Sequence, residues 1–193
     1  MEFPYKIVLA SNSPRRRELL GGLGVDFTVK VIGGIDESWP NEFKGEDIPL
    51  FISREKAAPY KATIAPDELV ITADTIVYVD GQVLGKPHDK ADAVRMLRLI
   101  SGRWHEVITG VTLMSATRER SFAVTTRVKF GNLSDDEIHR YVDSGLPMDK
   151  AGAYGIQEWI GYVGVEAIEG SYFNVVGLPV QRLYRELIIF CKQ

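Results

Sequence analysis

The chain of 193 residues has one cysteine, three histidines, no surplus of positive charge and no long hydrophobic run. Cys191, third from the C-terminal end, has no cysteine partner, which excludes a disulfide framework and any CxxC metal or redox motif and suits a reducing cytoplasm. His88, His105 and His139 are scattered, without HExxH or Cys-His spacing, so zinc is disfavoured and each reads as a surface or core residue. Lys plus Arg number 23 against 26 Asp plus Glu, a net charge of -3, so no broad basic surface serves duplex nucleic acid and any anion site must be local. Nothing approaches the roughly 18 apolar residues of a membrane span, and MEFPYKIVLASNSPRRR has too short an apolar run for a cleaved signal. Three nucleotide and acyl-transfer motifs are also missing. There is no GxxxxGK[ST] loop, Gly21, Gly22 and Gly24 lack GxGxxG spacing, and no GxSxG elbow exists.

What is there is an ordinary globular composition, 45% hydrophobic and 25% charged, fitting one domain over 1–193 or two small lobes sharing a core. Short apolar runs alternate with helical-period segments, the pattern of a mixed α/β protein whose sheet is covered by helices. Strands are expected at Lys6 to Ala10, Phe27 to Ile32, Leu69 to Ala73, Ile76 to Val79 and Gln82 to Leu84. The last two join at Asp80-Gly81, a strong hairpin dipeptide. Trp104 to Met114 and Ser121 to Phe130 read as a longer hairpin. Helices are expected at Pro14 to Leu23, Glu46 to Ala58, Lys90 to Ile100, Asp135 to Asp143 and Val180 to Phe190, with Gly24, Gly102 and Gly145 as stops and Pro59 ending the second.

The first strand runs into SNSPRRREL, where Ser13 is a good N-cap and Pro14 fits the first helical position. Arg15 and Arg16 then occupy the first helical turn, where cations oppose the macrodipole by roughly 0.3 to 1 kcal/mol each. An anion would compensate. Backbone N–H groups at the helix start, the hydroxyls of Ser11 and Ser13, and two guanidiniums together make a phosphate cradle; the bland alternative is a solvated basic turn.

Asp74 interrupts an otherwise buried apolar run, as either a turn residue between two strands or a carboxylate that needs a partner, often a metal. A DxD signature is absent because the residue two before it is Thr72. Asp36 and Glu37 follow a strand end, where an acid can reach into a cleft. Lys56 on its own reads as an exposed helical lysine, whereas Lys86 is aimed by flanking Gly85 and Pro87. Oxygen ligands of this kind suit magnesium or manganese, and metal-assisted attack by water is the favoured reaction class.

Eight blocks then fall in one order: LASNSPRRREL, Asp36-Glu37, REKA at 54 to 57, ADTIV at 73 to 77, LGKP at 84 to 87, HEVITGV at 105 to 111, DKAGAYGIQ at 149 to 157 and NVVGLP at 174 to 179. In these the chain resembles the Maf family of nucleotide pyrophosphatases, from Ile7 to about Leu187. The resemblance implies a two-lobed α/β fold on an extended mixed sheet flanked by helices, similar to the inosine triphosphate pyrophosphatase fold, with the active site in a cleft between lobes. It implies phosphate binding by Ser11, Ser13, Arg15 and Arg16, with Lys56 and Lys86 facing the triphosphate. Glu37 and Asp74 would hold a divalent cation, Mg2+ or Mn2+, and Asp74 would also act as general base; Asp36 is the lesser member of its pair. A homodimer is also compatible with the family.

The family divides at the positions of Arg15, Thr75 and Gln157. Arg, Thr and Gln resemble the dTTP and UTP pyrophosphatases, whereas the 7-methyl-GTP branch carries Trp, Gln and Glu. A glutamine amide both donates and accepts, so it suits the O4 and N3–H edge of uracil or thymine; a glutamate only accepts. Leu146, where the family has Glu, and residues 158–165, with Trp159 and Tyr162, depart from the family pattern and bear on the pocket wall. The expected function is hydrolysis of dTTP and UTP, or modified pyrimidine triphosphates, to monophosphate and pyrophosphate in nucleotide-pool house-cleaning. The alternatives are a 7-methyl-GTP pyrophosphatase, a non-catalytic nucleotide-binding regulator of septum formation, and a generic phosphate-binding module.

Overall fold

The computed structural model describes residues 3–192, so Met1, Glu2 and Gln193 of the expected domain lie outside the described residues. Seven strands, β1 (Lys6–Leu9), β2 (Phe27–Val29), β3 (Glu68–Val79), β4 (Gln82–Leu84), β5 (Trp104–Met114), β6 (Glu119–Phe130) and β7 (Val165–Glu169), form one sheet. Their order is β2-β1-β3-β5-β6-β7, with β4 also on β3. β1 pairs parallel with β2 and β3, while β3–β4 and β6–β7 are antiparallel, so the sheet is mixed. Its helices are α1 (Pro14–Gly21), α2 (Asp47–Ala57), α3 (Lys90–Ile100), α4 (Asp135–Asp143), α5 (Trp159–Gly164), α6 (Tyr172–Val176) and α7 (Val180–Lys192).

Two compact units divide the chain. Of the described residues, the first comprises those up to 74, 109–124 and those from 177 on, and the second 75–108 and 125–176. In the first unit Leu9, Leu20, Leu69, Ile71, Leu113 and Leu187 form a fully buried core. Burial of each such side chain contributes roughly 1.5 to 3 kcal/mol. In the second, Ala93, Met96, Leu97 and Ile100 form one stripe of α3 that packs with Val128, Phe130 and Tyr154 in the core.

Asp74 does not break the strand. The two strands expected at Leu69–Ala73 and Ile76–Val79 are one continuous β3, and of the two readings open for Asp74 the partnered carboxylate holds, because it finds a cation and need not escape to solvent. β2 stops at Val29, short of Ile32, and a 3-10 turn over Ala58–Ala62 containing Pro59 follows α2. β7, α5 and α6, which are short and without clear periodicity, were not expected. The helix α4 carries a full capping box between Ser134 and Glu137.

Candidate active site

At the start of α1, Ser13 caps the helix by accepting from the Arg16 N–H at 3.4 Å, and Pro14 follows as expected. The Ser11 hydroxyl in turn accepts from the Ser13 N–H at 3.2 Å, so both serines shape the turn. Arg16 also braces the backbone. Its Nε donates to the Gly177 carbonyl at 2.8 Å and its Nη1 to the Ala73 carbonyl at 2.9 Å, which ties α1 to the residue before Asp74 and to the NVVGLP segment. Burial lowers the Arg16 pKa, opposed by attraction to Asp74, with Arg15 adding repulsion and Glu37 attraction. Those four charges share one neighbourhood.

Lys56 joins them. Its ammonium lies 2.7 Å from Asp74 Oδ1 and 3.0 Å from Glu37 Oε1, with the lysine and Asp74 side chains only 16% and 11% exposed and Glu37 55% exposed. The exposed, solvated lysine expected from local sequence is therefore corrected: Lys56 is largely buried, because its helix lies on β3 and the two carboxylates satisfy it. Asp36 turns back on its own loop, accepting from the Ser38 N–H at 2.9 Å and hydroxyl at 2.8 Å. Those bonds hold its pKa below the usual carboxylate value.

The packing behind Lys56 is polar and close. Ser53 donates to the Leu50 carbonyl at 2.8 Å and meets Thr112 Oγ1 at 2.9 Å, which meets Ser121 Oγ at 3.0 Å. The Thr72 hydroxyl donates to the Ser53 carbonyl at 2.6 Å. A Cβ on Gly110 would stand 2.3 Å from the Pro49 carbonyl, so glycine lets α2 lie against β5. These hydroxyls carried no sequence signal, since single Ser and Thr residues in apolar runs have many other uses.

The second unit carries Thr75, Lys86 and Gln157. Lys86 is exposed in the loop after β4, whose Gly85 carbonyl accepts from the Gly152 N–H at 3.0 Å. That bond joins the LGKP and DKAGAYGIQ segments. Gln157 is half-buried, and its Oε1 is buried with no hydrogen-bond partner. Glu158, in the segment that departs from the family pattern, faces inward. It pairs with Lys150 Nζ at 2.8 Å and accepts a hydrogen bond from the Tyr141 hydroxyl. Tyr141 OH also accepts from the Gly155 N–H at 3.1 Å. A Cβ on Gly155 would come within 2.8 Å of Glu158 and 2.9 Å of Lys150, so glycine leaves these two side chains room for their present pairing. Burial and the Glu158 bond push the Tyr141 pKa up. Leu146, the other departure, is exposed at 46% while its carbonyl accepts from Lys150 Nζ at 2.6 Å.

His105 is a core residue. Its Nε2 shares a hydrogen bond with Tyr154 OH at 2.7 Å, and its ring meets Phe130 and Tyr154 edge-on. Among the described residues no group of three or more His, Cys, Asp or Glu side chains could hold a metal. Glu37 and Asp74 nevertheless converge on one point, now taken by Lys56 Nζ. Two carboxylates completed by substrate phosphates and water are the donor set magnesium or manganese accepts, so the residues fit such an ion.

A capped, arginine-bearing turn, paired acids and a largely buried lysine side chain thus lie together on a mixed α/β sheet, the arrangement expected of the phosphate-handling class. Comparison places the chain within it: residues 6–190 match the family model described as Maf-like protein, and the chain belongs to that family. It is 62% identical over 183 residues to a dTTP/UTP pyrophosphatase of Bacteroides fragilis, covering 95% of each chain. A dTTP/UTP pyrophosphatase of Porphyromonas gingivalis is 50% identical over 185 residues, covering 95% of this chain and 93% of that one. Among solved structures, the Staphylococcus aureus Ham1 protein matches at a TM-score of 0.52 with 17% identity, over 95% of this chain and 98% of that one, a likeness of fold alone. Among the described residues no helix is long and apolar enough to cross a membrane.

Proposed function

We propose that this chain is a nucleoside triphosphate pyrophosphatase that hydrolyses dTTP and UTP to the monophosphate and pyrophosphate, with a house-cleaning role in the cytoplasm. The observation that carries the chemistry is the convergence of Glu37 and Asp74 on Lys56. Its relatives' names support the substrate, as does the buried, unpartnered Gln157 Oε1, an acceptor suited to the N3–H of a pyrimidine.

In this reading both units belong to one Maf domain. The Ser11–Ser13 turn and Arg15 bind phosphate oxygens, while Arg16 adds positive charge as it braces the turn. Lys56 and Lys86 balance the triphosphate's charge, and Thr75 and Gln157 orient the nucleoside. Water attacks the α-phosphorus, its proton passes to Asp74, and the bond from the α-phosphorus to the bridging oxygen breaks to release pyrophosphate. A divalent cation held by Glu37 and Asp74 would polarise the phosphoryl oxygens. The cationic side chains oppose the charge that builds on the leaving group. Exposed Tyr162, Tyr172 and Phe173, at 80%, 39% and 48%, offer the homodimer an apolar surface to bury.

The test is pyrophosphate release from a panel of common, modified and 7-methylated triphosphates with Mg2+ or Mn2+, beside Asp74→Asn. Turnover of dTTP and UTP that disappears in the variant is expected. Tight nucleotide binding without release of product would sink the enzyme reading and favour a regulator.

A further inference from the structure

We infer that Thr72 is a positioning residue for this reaction: its hydroxyl holds α2 on β3 in the register that keeps Lys56 against Asp74. The inference rests on the roles proposed above for Asp74 and Lys56.

Thr72 and Asp74 lie two apart on β3 and so share a face, while Ser53 and Lys56 lie three apart on α2 and share a helix face. The two elements therefore meet through two successive contacts. Thr72 Oγ1 donates to the Ser53 carbonyl at 2.6 Å, and Lys56 Nζ reaches Asp74 Oδ1 at 2.7 Å. Two residues advance a strand by about 6.7 Å, whereas three advance a helix by about 4.5 Å, and the lysine stem spans the difference. The lysine is flexible; the threonine is not. Thr72 and Ser53 are both 0% exposed, so their bond forms where water cannot substitute for it. A carbonyl has two lone pairs, so the hydroxyl can add to Ser53's bonding within the helix without displacing it.

The other ties of this part of α2 lead elsewhere. Ser53 Oγ goes to Thr112 on β5, and Pro49 lies over Gly110, also on β5. Loss of the Thr72 hydroxyl leaves those anchors in place, so the fold persists while the spacing between α2 and β3 is freed.

The experiment compares Thr72→Val, which keeps the shape and removes the hydroxyl, with Thr72→Ser, which keeps the hydroxyl, and with Asp74→Asn. Steady-state kcat and KM for dTTP with Mg2+ are read alongside thermal unfolding. The expected result is a kcat about tenfold lower in Thr72→Val, with KM within about twofold of the parent, and recovery of kcat in Thr72→Ser. If Thr72→Val does not fold, Thr72→Ala takes its place with the same expectation. Parental kcat in the folded hydroxyl-free variant beside an inactive Asp74→Asn overturns the inference alone. Equal loss in Thr72→Ser also overturns it, because the methyl rather than the hydroxyl would then matter. An active Asp74→Asn overturns the role proposed above for Asp74, whereas a parent protein that releases no pyrophosphate overturns the proposed function itself.

Discussion

The ammonium of Lys56 lies 2.7 Å from Oδ1 of Asp74, joining α2 to β3 across 18 residues of chain, and Glu37 approaches the same nitrogen at 3.0 Å. The two acids differ in setting: Asp74 is nearly buried, while Glu37 is more than half exposed. Their loss should therefore differ in kind. Glu37→Gln is expected to raise the Mg2+ concentration for half-maximal turnover by about tenfold or more while leaving measurable kcat at saturating metal. A metal titration checks it, and an unchanged midpoint removes Glu37 from the metal set.

Gln157 presents a buried acceptor, and its loop is held by Lys150 and Glu158. Replacing the amide with a second acceptor, Gln157→Glu, should lower kcat/KM for dTTP and UTP by about 10- to 100-fold. The loss for 7-methyl-GTP should be smaller. Competition assays with the three triphosphates report the ratio, and a uniform loss across them contradicts base reading by this residue.

Gly110 permits the approach of α2 to β5, with a hypothetical Cβ only 2.3 Å from Pro49 backbone atoms. Backbone must shift to admit alanine. Gly110→Ala is expected to cost about 1 to 3 kcal/mol of stability and to lower the unfolding midpoint by about 5 °C. Because the displaced helix carries Lys56, turnover at low temperature should fall as well. Calorimetry and activity measured on one preparation separate the two effects.

Burial pushes the His105 pKa down to about 4 from 6.5. Between those values the unfolded chain binds a proton that the folded chain refuses, so stability rises with pH across this window and is lost as pH falls from 6.5 toward 4. The loss amounts to about 3 kcal/mol. Urea unfolding at pH 7 and pH 4.5 should show it, and His105→Gln, which cannot titrate, should flatten the dependence.

Ser13, Pro14 and the span of α3 were legible because caps and apolar periods act over a few residues, and the structure repeats them with little change. Asp74 was ambiguous for the opposite reason. Whether a carboxylate ends a strand or remains within it depends on a cation from elsewhere, and here Lys56 supplies it. Glu158 shows the same dependence: as a departure from the family pattern it bore on the pocket wall, yet its contacts turn it toward Lys150 and Tyr141.

By itself the sequence determined the local elements, the order of the motifs and, through them, the family, since these depend on neighbours in the chain and on residue identity. Only tertiary structure decided that Lys56 stands between Glu37 and Asp74, and that Arg16 donates to carbonyls 57 and 161 residues away. The bond from Thr72 to the helix carrying Lys56 is of the same kind. Such pairings follow from the packing of helices on the sheet, where burial forces each polar group to find whichever partner the fold brings within reach.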